Sequence, residues 1–253
     1  MTGSIPQPHR MKSGTVTIHA IPVDADHHGN HRRLLSPDER VRAASFVFPK
    51  HAAHWIACRA ALRRILGEAI QVAPDEVPLD LTPLGKPVLA EPFAALHFSL
   101  SHCEDLALLA LCTDGPVGVD VEPSHRAPDL IGCENSFCHA AEINSLPAEA
   151  GARGRRLLEI WTAKEALLKA IGTGFSHPPE SLLVHSRSAT SEIPLPGIES
   201  QTLHRLEDRL PAGHCAAYAA PATASILEFH SAAASTSRDS HGMSRPRRAH
   251  PDG

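Results

Sequence analysis

No two cysteines in the 253-residue chain stand in a C-x-x-C arrangement, so neither a zinc ribbon nor a thioredoxin-type redox motif is written here. The six cysteines (Cys58, Cys103, Cys112, Cys133, Cys138 and Cys215) are even in number. The opening MTGSIPQPHRMKSG, however, lacks the apolar core of a signal peptide. Reduced thiols in a cytoplasmic protein are therefore the expectation. Excess basic charge is missing too: 24 Lys and Arg against 28 Asp and Glu leave a net −4, with no global field to attract nucleic acid. The longest clean apolar run, Leu106–Cys112, falls far short of the ~20 residues a membrane-spanning helix needs. These absences disfavour secretion, membrane insertion and nucleic-acid binding.

What is present suits a globular chain with a sizeable core. Apolar residues make up 42%, and the 16 glycines bring the fraction near the ~45–50% of soluble domains. The length fits one large or two small domains. Residues 1–14 are expected to be a flexible N-terminus. The tail 231–253, SAAASTSRDSHGMSRPRRAHPDG, has almost nothing to bury and is expected to be disordered, with Arg245, Arg247 and Arg248 solvated. Between them an N-terminal half, 15–115, and a C-terminal half, 116–230, meet at Gly115-Pro116. Among the 18 histidines, His27, His28 and His31 occupy a polar stretch that reads as a solvated loop.

Ser36-Pro37-Asp38-Glu39 combines an N-cap serine, a proline at the first helical position and a capping-box glutamate. A longer helix is expected from about His51 to Ile70, with Trp55, Cys58, Leu62, Ile65, Leu66 and Ala69 on one stripe. Arg59 and Arg63 border that stripe and Arg64 points to solvent. Border arginines can bury their stems and still offer guanidinium groups to an anion, although ordinary surface charge has the same spacing. After the turn Leu84-Gly85-Lys86-Pro87, residues 96–101 alternate, with Leu96, Phe98 and Leu100 facing one way and His97, Ser99 and Ser101 the other. A hairpin to Leu106–Cys112 follows, leaving His102 at a strand end.

The hexapeptide Val117-Gly118-Val119-Asp120-Val121-Glu122 reads as a strand with its valines inward. Asp120 and Glu122 then share the opposite face, about 7 Å apart by strand rise. Two stacked acids suit a hard cation such as Mg²⁺, the alternative being a plain exposed face, and Gly118 leaves that face open to a ligand. A second helix, roughly Arg155 to Ile171, carries Leu157, Ile160, Trp161, Leu168 and Ile171 on its stripe, with Lys164 in the middle. A lysine there needs an anion. Glu165 and Lys169 flank it at i,i+4, which by itself is a surface ion pair of ~0.3–0.5 kcal/mol. Together these groups would suit a metal-bound polyphosphate. Gly172-Thr173-Gly174 supplies the stop.

GVDVE at 118–122 followed by WTAKEALLK at 161–169 resembles the paired signature of the 4′-phosphopantetheinyl transferases, specifically the surfactin-synthetase-activating (Sfp-type) branch. GKP at 85–87, FSLSH at 98–102 and the step from Phe137 to Glu142 extend the resemblance over residues 36–221. It implies an α+β fold of two similar halves, pseudo-twofold and monomeric, with the site between them. It further implies Mg²⁺-dependent transfer of the phosphopantetheine arm of coenzyme A to a serine of an acyl or peptidyl carrier protein, releasing 3′,5′-ADP. By motif match Asp120, Glu122 and Glu165 hold the metal and Glu165 is a candidate base. Lys164, Lys169, His102 and Ser101 face phosphate, while Arg63, Lys86 and Pro87 hold the nucleotide, with Arg59 and Lys50 as looser candidates. Arg40, Arg42 and Arg59 could face an acidic carrier. Three features depart from the family pattern: Cys103 replaces a usual hydroxyl, His54 stands where some relatives carry arginine, and 123–136 lacks obvious order. The alternatives are an inactive CoA- or carrier-binding module and a metal-dependent phosphohydrolase.

Overall fold

The computed structural model describes residues 12–23, 28–184, 190–195 and 198–231. Residues 1–11 of the expected N-terminal arm, His27, and residues 232–253 of the expected tail lie outside the described residues.

The fold is α+β and repeats one plan twice. The first unit comprises β1 (Thr15–Pro22), α1 (His28–His31), α2 (Pro37–Ala44) and α3 (Pro49–Ile70). A small ribbon, β2 (Leu79–Leu81) with β3 (Pro87–Leu89), precedes the hairpin β4 (His97–His102) and β5 (Leu106–Cys112). The second unit comprises β6 (Gly118–Pro123), α4 (Ala140–Asn144), α5 (Ala150–Ile171), β7 (Thr190–Leu195), β8 (Ile198–Arg205) and β9 (His214–Pro221). In each unit a strand leads to a 22-residue helix, and the later strand pair returns antiparallel to that first strand, β5 on β1 and β9 on β6. The last strand, β10 (Ile226–Ser231), crosses back to pair parallel with β1, so sheet membership does not follow the division of the chain at 115/116. The sheet orders are β10-β1-β5-β4 and β6-β9-β8-β7.

Local chemistry explains where the helices start and stop. At α2 the Ser36 hydroxyl accepts from the Glu39 amide and the Glu39 carboxylate accepts from the Ser36 amide, the expected capping box. Helix α3 begins at Pro49, two residues before the expected start at His51, using proline's preset φ. Helix α5 starts at Ala150 rather than near Arg155, because the Glu149 carboxylate accepts from the amides of Gly151 and Ala152 at 2.8 and 2.6 Å. Gly172, at φ 72°, closes it.

One apolar cluster lies between the sheets, built from Val16 and Ile18 of β1, Leu108 of β5, Val119 and Val121 of β6 and Tyr218 of β9. Helix α3 covers the outer side of the first sheet through Leu62 and Leu66 against Phe98 and Leu109. Helix α5 covers the second through Ala163 and Leu167 against Ala217 and Ala219. The units meet where β4 lies beside β6. There the hydroxyls of Ser99 and Ser101 accept from the amides of Val119 and Val121 at 3.1 and 3.4 Å. Residues 123–136 are ordered: Ser124–Leu130 is a 3-10 helix packed on α5, close enough that a Cβ at Gly154 would lie 2.8 Å from the Ala127 carbonyl oxygen.

Candidate active site

Gly118 packs against the backbone of α5, since a Cβ there would fall 2.0 Å from the Ala166 carbonyl oxygen. The expected room for a ligand at this position is filled by helix. The glycine instead brings α5 close enough to β6 for Glu165 and Lys169 to share a basin with Asp120 and Glu122. That basin, about 270 Å³, is lined by Ser101, His102, Asp120, Glu122, Trp161, Glu165 and Lys169. It adjoins a second cavity of about 340 Å³, bordered by Arg59, Lys86, Pro87, Phe98, His102 and Lys169. His102 and Lys169 belong to both, so the two form one cleft with an acidic end and a basic, partly apolar corridor.

Asp120 sits at the floor, 4% exposed. Its Oδ1 accepts from the Lys169 ammonium at 2.6 Å and from the Ser101 hydroxyl at 2.8 Å, and Lys169 also donates to Ser101 Oγ at 3.0 Å. Its Oδ2 is buried without a hydrogen-bond partner. A buried anionic oxygen left unpaired is costly, and a hard cation satisfies it. Glu122 accepts from Arg126 at 2.7 Å and from the Trp161 indole at 3.3 Å. Glu165 has its pKa raised, first by burial and then by the negative charge of Asp120, with Lys169 opposing. Burial lowers the pKa of His102, helped by His54 and Lys169, so its imidazole is neutral at pH 7. Lys86 is pulled down to about 8 by burial. It donates to the carbonyls of Lys169 and Ala170 at 2.6 and 3.1 Å, tying the β2–β3 turn to the end of α5.

This donor set joins hard carboxylates to a corridor of cations, the arrangement for a metal-bound phosphate ester. Residues 116–219 match the profile of the "4′-phosphopantetheinyl transferase superfamily", and residues 22–114 match "4′-phosphopantetheinyl transferase, N-terminal". The chain belongs to the 4′-phosphopantetheinyl transferase superfamily. It is 39% identical over 147 residues to the 4′-phosphopantetheinyl transferase HetI of Nostoc sp., a match covering 56% of this chain and 61% of HetI. It is 32% identical over 199 residues to the phosphopantetheinyl transferase of Thraustochytrium sp., covering 72% of this chain and 67% of that protein. With the L-aminoadipate-semialdehyde dehydrogenase-phosphopantetheinyl transferase of Homo sapiens it shares 33% over 153 residues, 56% of this chain and 50% of that protein. The chain thus spans about half to two thirds of the relatives it matches.

Within this transferase-superfamily cleft, two residues read from sequence as anion binders are absent. Lys164 is wholly buried, and its ammonium pairs with Glu142 at 2.7 Å and donates to the carbonyls of Phe137 and Pro179 at 2.7 and 3.0 Å. The anion that its place in an apolar stripe demands is a protein carboxylate, not a phosphate. Arg63, 3% exposed, is held by Glu39 and donates to the carbonyls of Pro74 and Val77, leaving no face for a nucleotide. Arg59 also pairs with Glu39, yet it borders the corridor. Sequence reasoning missed Glu39 and Glu142 as partners for these cations. Their signal was present, each being the third helical residue of a capping box, but their second role spans 20 or more residues and has no local pattern.

Proposed function

We propose that this protein transfers the 4′-phosphopantetheine arm of coenzyme A to a serine of an apo acyl or peptidyl carrier protein, releasing 3′,5′-ADP, in the manner of the Sfp-type branch. We take it to act as a cytoplasmic monomer. The observation that carries this reading is the buried, unpaired Oδ2 of Asp120 at the floor of a cleft that also holds Glu122, Glu165 and Lys169. Asp120, Glu122 and Glu165 would hold Mg²⁺. When bound, that ion supplies positive charge against the pyrophosphate oxygens and so stabilises the leaving group.

The chain's own residues do the rest. Lys169, at the junction of the two cavities, offsets charge on the transferring phosphate, and Ser101 with Asp120 holds its ammonium in place. Neutral His102 offers a hydrogen bond at the same junction. Arg59 borders the corridor and takes the nucleotide phosphates, while Lys86, its ammonium donating to the carbonyls of Val117, Lys169 and Ala170, adds positive charge to the corridor wall. As the bond from the carrier serine oxygen to phosphorus forms and the bond to 3′,5′-ADP breaks, a carboxylate oxygen of Glu165 takes the serine proton, directly or through water.

The test is intact-protein mass spectrometry of a panel of apo carriers with CoA and Mg²⁺. One added phosphopantetheine arm is expected, lost with EDTA and slowed at least ~100-fold by Asp120→Ala, the scale of losing one preorganised electrostatic group. CoA binding with no modified carrier would instead indicate a binding module. Consumption of CoA without a modified carrier would indicate a phosphohydrolase.

A further inference from the structure

His54 and Cys58 stand one helical turn apart on α3, so both project from one face of the helix. The strand-end His102 reaches the same point. His54 Nε2 lies 3.0 Å from His102 Nδ1 and 3.7 Å from Cys58 Sγ, and the three ligand atoms all fall within 4.8 Å of one another. Metal–ligand bonds of about 2.05 Å to nitrogen and 2.3 Å to sulfur put tetrahedral ligands about 3.3 Å (N to N) and about 3.6 Å (N to S) apart. The two separations from His54 lie close to those values, and the third, between Cys58 and His102, is within 4.8 Å.

From this convergence we infer that His54, Cys58 and His102 form a second cation site, for a zinc-class divalent ion, at the lip of the cleft. It is separate from the carboxylate site. Its donors are two imidazoles and a thiol, which select borderline and soft ions, whereas the carboxylates select hard ones. Three protein ligands leave a fourth position for water or an anion.

The surroundings fit. Both imidazole pKa values are lowered, by burial first, and the 3.0 Å contact between them is an N–H···N hydrogen bond, so ligation by both rings moves that proton to the outer nitrogen of the donor ring. Burial pushes the Cys58 thiol up to about 12, so without metal it remains S–H and is no nucleophile. Coordination releases that proton to solvent and leaves a thiolate neutralised by the cation. Cys58 is 3% exposed, while His102 opens to solvent and gives the ion a way in. Ligation through His102 Nδ1 also places the remaining ring proton on Nε2, fixing this residue as a hydrogen-bond donor. His102 borders both cavities, so the occupied site would set both the charge and the tautomer at their junction.

The site does not depend on the transferase reading, because it is measured without CoA or carrier. The full chain, stripped with chelator and desalted, is titrated with Co²⁺ as an optical probe and then with Zn²⁺. We expect a thiolate-to-cobalt charge-transfer band that saturates at one equivalent, is displaced by Zn²⁺ and is unmoved by excess Mg²⁺. Cys58→Ser should abolish it. His54→Ala should weaken binding at least ~10–100-fold, since losing even an outer-shell partner costs that much. Cys103→Ser should leave it intact, although Cys103, Asp105 and His214 also cluster. The inference is overturned if the wild type shows no band, if the band survives in Cys58→Ser or follows Cys103, or if His54→Ala binds as the wild type does. Circular dichroism checks each variant. Should the buried Cys58→Ser fail to fold, the half-buried His54 and exposed His102→Ala decide.

Discussion

Lys164 shows how far a single residue's meaning depends on its partner. A lysine amid Leu157, Ile160 and Leu168 must find an anion or lose its charge, and Glu142 is that anion. Burial lowers the lysine's pKa, and the glutamate opposes the shift. The same carboxylate accepts from the amides of His139 and Val184 at 2.8 and 2.7 Å, so it also fixes the start of α4. Removing one member leaves an uncompensated buried charge, so Glu142→Gln should cost ~3–5 kcal/mol. Replacing both, as in Glu142→Leu with Lys164→Met, should recover part of that loss. Urea denaturation midpoints check both, and CoA affinity of the folded double variant should be near that of the wild type. A marked loss of affinity would restore Lys164 as a phosphate ligand. The need for an anion was legible in the sequence. Which anion was not, because the pair spans 22 positions and depends on how α4 docks on α5.

At the scale of elements, β6 and α5 form the unit that makes the site. Their alternation and helical stripe were readable from residues 117–122 and 155–171. Their separation was not, because it is set by the missing Cβ of Gly118, which would sit 2.0 Å from the Ala166 oxygen and 2.4 Å from the Ala170 nitrogen. These are backbone atoms of a helix and cannot yield singly. Gly118→Ala should therefore shift α5 as a body, destabilise the fold by at least ~1–3 kcal/mol and displace Glu165 and Lys169 together. Thermal melting reads the first effect. Transferase assays well below the variant's melting temperature read the second, and unchanged activity there would mean that the close approach only aids folding.

For the whole molecule, the cleft exists because the two units dock edge to edge. Lys86 comes from the first unit yet donates to Lys169 and Ala170 of the second. Burial lowers its pKa to about 8, so its positive charge is lost as pH rises through that value. Binding of anionic CoA should then weaken between pH 7 and 9, since only about a tenth of Lys86 stays protonated one unit above its pKa. Lys86→Met should bind more weakly at pH 7 and lack this titration. Isothermal calorimetry at constant ionic strength makes the comparison, and an unchanged pH dependence in the variant would remove Lys86 from the corridor.

The sequence alone determined what short-range periodicity controls: the α2 cap, the stripes of α3 and α5, the β4–β5 hairpin and the acidic face of β6. It also determined which residue types could meet a metal-bound phosphate. Only the tertiary structure decided which of them line the cleft and which are paired elsewhere. Lys164 and Arg63 spend their charge on Glu142 and Glu39, while Asp120 keeps one buried oxygen free. Helix and strand periods fix the face on which a side chain emerges, but a charge is satisfied by whatever folds against that face. Those partners come from distant parts of the chain, where no local spacing records them.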